Sequence, residues 1–97
     1  MDRDAQLRAD AWIGDAVLLL YARRRILNQQ GAIDAPQCTR LTSNQFLSAF
    51  GDPTAVEAGI GRLYKEKGLD AAFAFIEATI IPLFEKREAR QKPPRGR

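Results

Sequence analysis

Histidine is absent from the 97-residue chain, and cysteine and tryptophan occur once each, as Cys38 and Trp12. Without imidazole there is no Ser-His or Cys-His nucleophile, and a single thiol leaves no zinc-ligand set and no intramolecular disulfide. A reducing cytoplasm is the simplest setting for such a chain. Long hydrophobic runs are missing too. The longest, AVLLLYA at 16–22, is far too short to span a bilayer, and the N-terminal MDRDAQLRAD is polar, so neither a membrane nor a targeting segment is expected. Any chemistry therefore falls to carboxylates and a metal.

The chain is 45% hydrophobic and 28% charged, the balance of an ordinary globular protein. At this length one domain buries roughly two-thirds of its unfolded surface, which favours a second copy that adds core area. The net charge of +3 hides an asymmetry. Residues 85–97, EKREARQKPPRGR, hold six basic and two acidic side chains, leaving nine basic against ten acidic in the remainder. This divides the chain into a helical domain at 1–84 and a basic, flexible tail at 85–97, poor in helix formers beyond Gln91.

Every periodic segment has helical spacing, and none alternates long enough for a strand. The first helix is predicted from Asp4 or Ala5 to about Asn28, ending at Gln29, Gln30 and Gly31. A connector with one helical turn after Pro36 leads to LTSNQFLSAFG, where Thr42 and Gln45 have capping-box spacing and Phe46, Leu47 and Phe50 form the buried side. The third helix takes Asp52 as N-cap and Pro53 as first residue, carries Val56, Ile60 and Leu63 on one stripe, and closes at Gly68. Gly59 and Gly61 inside it predict close approach of another backbone. A fourth helix opens at Asp70 with Phe73, Ile76, Ile80 and Leu83 as its seam, and Pro82 should kink or end it.

Two acids stand in unusual places. Asp15 is the lone acid of AWIGDAVLLLYARRRIL, a helix apolar nearly all round and so expected to be buried and central. A carboxylate there needs a cation, a backbone N–H or a metal ion as partner, and an ion pair with Arg is the commonest answer. Glu57 lies one turn into the third helix with no base three or four residues on; it either favours the helix dipole or pairs with Asp15 around Mg²⁺.

IGDAVLLLYARR resembles the signature helix of the ribonuclease III family, whose core reads approximately LGDAVL. AVEAGIGRLYKEKGLDAAFAFI is similar to that family's later FEALIGALYLDGGLEAA, and LTSNQFLSAF falls between them, where the family often has Ser-Asn before a Leu-rich helix. The likeness is in order and spans most of residues 9–80. Long members add a Glu four residues before the first Asp and an Asp three residues before the later Glu. Ala11 and Thr54 stand there in this chain, as in the Mini-III branch, and the stretch between Phe50 and Thr54 is much shorter than in the family.

The resemblance implies an all-α, ribonuclease III-like domain of about four helices in a two-fold homodimer. It places Mg²⁺, or alternatively Mn²⁺, on Asp15 and Glu57, which would cleave double-stranded or structured RNA by activating water. It also implies signature helices packed across the two-fold axis through Trp12, Ala16, Leu19 and Leu20. Trp12 as ordinary monomer core is the competing expectation. Candidate phosphate contacts are Arg23, Arg24, Arg25, Arg40, Arg62, Arg90 and Lys92, each also readable as a solvated helix end. A degenerate relative that binds RNA or serves assembly is the second reading. A helical interaction module is the third.

Overall fold

The computed structural model describes residues 2–91, and all its regular structure is helical. Helix α1, Arg3–Gln30, opens where the Asp2 carboxylate accepts from the Ala5 N–H, and closes at Gly31 in the left-handed conformation (φ 70°). The connector holds more helix than its sequence suggested. Asp34 accepts from the Gln37 N–H and starts α2, Ala35–Thr42. Helix α3, Asn44–Leu47, is capped by Ser43 rather than Thr42, whose hydroxyl donates back to the Cys38 carbonyl; a 3-10 turn, Ser48–Phe50, follows.

Helix α4, Pro53–Lys67, has the expected ends: Asp52 accepts from the Ala55 N–H, and Gly68 closes it with positive φ. Helix α5, Leu69–Phe75, continues through a π-turn, Ile76–Ile80, into α6, Ile81–Gln91. Pro82 thus does not end the last helix. A proline in regular α geometry clashes with the carbonyl four residues back, and the wider turn just before it, where the Ile81 N–H reaches the Ile76 carbonyl, relieves that clash.

Leu18, Leu41, Leu47, Ile60, Ile76 and Ile80, drawn from five of these segments, are fully buried at the centre. Tyr21 packs edge-on against Phe73, and Phe46 against Phe84. The Tyr21 hydroxyl donates to Glu77 in the π-turn, and burial followed by that neighbouring carboxylate pushes its pKa up. Helix α6 is fastened by two ion pairs, Arg25–Glu85 at 3.0 Å and Arg40–Glu88 at 2.8 Å. Residues 85–91, expected as the start of the tail, continue helix α6 and are tied to α1 and α2 by these pairs. Lys92 and the rest of the tail lie outside the described residues.

Helix α1 corrects a second expectation. It is buried along one side only, through Asp10, Ala11, Gly14, Val17, Leu18, Tyr21, Ala22 and Ile26, while Asp15 is exposed. Its 28 residues extend about 42 Å, and the shorter helices cover one flank. No described helix is long and apolar enough to cross a membrane.

Candidate carboxylate site

Helices α1 and α4 run antiparallel, since Asp10 meets Gly61 and Lys65 while Gly14 meets Glu57. Glycine permits this contact. A Cβ on Gly14 would stand 1.7 Å from the Glu57 carbonyl oxygen, and one on Gly61 1.9 Å from that of Asp10. Gly59, also expected to admit a backbone, has nothing within 4 Å of its Cβ position. The crossing sets Asp15, one residue beyond Gly14, beside Glu57.

The two carboxyl groups come within hydrogen-bonding reach. Burial, then the hydrogen bond to Asp15 and its charge, push the Glu57 pKa up to about 8. That shift favours the protonated form of Glu57, and a divalent cation would compete with the proton for its oxygens. Hard carboxylate oxygens suit Mg²⁺ or Mn²⁺, and Mg²⁺ characteristically takes one or two carboxylates and completes its shell with water and phosphate. Among the described residues no cluster of three or more Asp, Glu, Cys or His side chains forms. The protein thus offers two ligands, and Ala11, one turn before Asp15, is buried and contributes only a methyl group.

The buried acid of α1 is Asp10, a residue that sequence periodicity did not single out. It is 2% exposed and accepts from Lys65 Nζ at 2.7 Å and Gln6 Nε2 at 3.0 Å, with Arg62 Nη1 at 3.7 Å. The Lys65 ammonium holds its pKa below the usual carboxylate range, against the opposing effect of burial. Only Gln6, four residues earlier on the same helix, was a local signal. Lys65 and Arg62 reach Asp10 through the fold.

The candidate phosphate contacts are dispersed. Arg23 and Arg90 are exposed; the exposed Arg24 lies over the Phe73 ring; Arg62 reaches toward Asp10. The guanidinium groups of Arg25 and Arg40 anchor α6, Arg40 with two hydrogen bonds to Glu88. Arg25 also sits ten residues beyond Asp15, about 15 Å along the helix.

The expected dimer residues form an exposed stripe bordering Asp15. Trp12 is 78% exposed, Ala16 and Leu20 are exposed, and Leu19 is half-buried. That removes Trp12 from the monomer core. Leu19 and Leu27 continue into a cleft of about 470 Å³ whose far wall includes Ile33 and Cys38. No protein-family model, no curated protein and no solved structure matches this chain.

Proposed function

We propose that this chain is a ribonuclease III-like endoribonuclease that cleaves double-stranded or structured RNA as a cytoplasmic homodimer. The observation that carries the reading is the meeting of Asp15 and Glu57 across the Gly14–Gly61 crossing. The motifs that resemble the ribonuclease III signature thus lie side by side, although 42 residues separate their acids. Asp15, exposed, and Glu57, half-buried, would hold Mg²⁺ between them. When bound, the cation supplies an activated water and stabilises charge on the phosphodiester. Glu57 must release its proton to serve as a ligand, so its raised pKa opposes cation binding more at low pH than at high pH.

The exposed stripe from Trp12 to Leu20 supports the homodimer, because a large aromatic with no cover in one chain gains its burial from a second. Two copies would present two carboxylate pairs, one for each RNA strand. A second reading, a catalytically degenerate RNA-binding or assembly protein, is favoured by one observation: with Ala11 one turn before Asp15, no third acid joins the pair among the described residues.

Cleavage of a blunt RNA duplex with Mg²⁺ tests both. The first reading expects cleavage by the wild type and its loss in Asp15→Asn and Glu57→Gln with helix content and dimer retained. Duplex binding without cleavage by the wild type would establish the second reading. Neither binding nor cleavage would leave a helical interaction module.

A further inference from the structure

The charges of α6 are sorted by partner. Its two acids, Glu85 and Glu88, are both engaged by the body of the protein, through Arg25 at 3.0 Å and Arg40 at 2.8 Å. Its three cations are not: among the described residues, Lys86, Arg87 and Arg90 have no carboxylate within ion-pair distance. Spacings of three and four residues put Lys86 and Arg87 on one face with Arg90. Lys86 and Arg90 are exposed, and the Arg87 guanidinium lies 5.5 Å over the Phe46 ring, which holds it at the surface in a defined place. Within EKREAR no acid lies three or four residues from a base, so these charges do not pair with one another along the helix. The body instead neutralises both acids, the exposed Glu85 through Arg25 and the half-buried Glu88 through Arg40, and leaves the exposed Lys86 and Arg90 as the unpaired charges of the outer face.

Arg87 also walls a shallow cleft of about 180 Å³, where Ser43, Gln45 and Gln91 supply hydrogen-bonding groups beside it and the one carboxylate, Glu88, is paired with Arg40. Cations in a row with neutral donors and acceptors at one end suit a ribose-phosphate backbone, whose phosphates take the charges and whose 2′-hydroxyls take the amides. We propose that the outer face of α6, through Lys86, Arg87 and Arg90, is a contact surface for the phosphate backbone of RNA, apart from the carboxylate pair. This rests on the RNA reading above and adds to it where the nucleic acid is held. Arg25 and Arg40, which the sequence offered for the same task, contribute indirectly by neutralising the two acids.

The test uses the full chain and a fluorescently labelled blunt RNA duplex, with EDTA present so that binding is read without cleavage. Anisotropy titrations over a salt series compare the wild type with Lys86→Gln/Arg90→Gln, which leaves Arg87 on Phe46, and with Lys67→Gln, which removes an exposed cation at the end of α4. The double variant should bind on the order of tenfold more weakly at moderate salt, with a slope of log affinity against log salt shallower by about 2. Lys67→Gln should keep the wild-type slope. Equal binding by wild type and double variant would overturn the α6 surface while leaving the RNA reading intact. Failure of the wild type to bind duplex would sink both. A double variant that loses binding to an acidic peptide while keeping duplex affinity would assign the face to an acidic protein partner and also overturn the proposal. Circular dichroism on each variant confirms that helix content is unchanged, so a folding failure is not read as lost contact.

Discussion

Gly14 and Gly61 bring the backbones of α1 and α4 into direct contact, each glycine lying against a carbonyl oxygen of the opposite helix. Everything distinctive about the carboxylate site depends on that approach. Neither glycine lies in a turn, and neither has positive φ, so each is required by proximity and not by backbone conformation.

Gly14→Ala and Gly61→Ala should each destabilise the protein by about 2–3 kcal/mol, because the new methyl meets backbone that cannot rotate away. Gly59→Ala is the control. With nothing near its Cβ position and a helical conformation, it should be neutral or stabilise by about 0.5–1 kcal/mol. Urea unfolding of the three variants reads the difference.

Glu57 makes stability depend on pH with a definite sign. Its folded pKa of about 8 lies above its ordinary value of 4.5, so between these limits the folded state keeps a proton that the unfolded chain has released. Its contribution is complete below about 4.5 and is lost as pH rises toward 8. Thermal unfolding of wild type and Glu57→Gln at pH 5, 6.5 and 8.5 should show the wild type losing ground on the variant as pH rises. Added Mg²⁺ should raise the wild-type melting temperature more at pH 8.5 than at 6.5, since at the lower pH the cation must first displace the proton.

Asp10 acts in the opposite direction. Its lowered pKa means that its contribution is present above the ordinary value of 3.8 and is lost as pH falls through the folded pKa. Asp10→Ala and Lys65→Met should each lower the melting temperature at neutral pH by several degrees. The double variant should lose less than the sum of the two, because Lys65→Met alone leaves a buried carboxylate short of its main partner.

Trp12, the single tryptophan, reports on assembly without a label. If the exposed stripe is the dimer face, emission should shift to the red on dilution as the indole returns to water. Trp12→Ala should sediment as a monomer while changing monomer stability by less than about 0.5 kcal/mol, since the side chain packs little within one chain. A wild type that sediments as a monomer at micromolar concentration would refute the two-strand arrangement.

Sequence and structure agree best where a few consecutive residues decide the outcome. Asp52-Pro53 and Gly68 bound α4, and Gly31 ends α1, because caps and left-handed turns are local chemistry. Thr42 was a less secure guide, as the neighbouring Ser43 could do the same work and does. Pro82 was legible as a disturbance but not as a π-turn, since the outcome depends on Ile76 and Ile80, the first and last residues of that turn, both being held in the core.

The sequence by itself determined an all-helical chain, its main helix ends, and two acids in unusual settings. Only the tertiary structure decided which acid of α1 is buried. Apolar residues around most of α1 suggested Asp15, but burial is a property of neighbours, and the covering helices pack on the flank that carries Asp10. Lys65, 55 residues away, makes that burial tolerable. Asp15 lies at the edge of the covered flank, where only the α1–α4 crossing could bring Glu57 to it. Helical periodicity specifies the face a residue occupies, and packing alone specifies what meets that face.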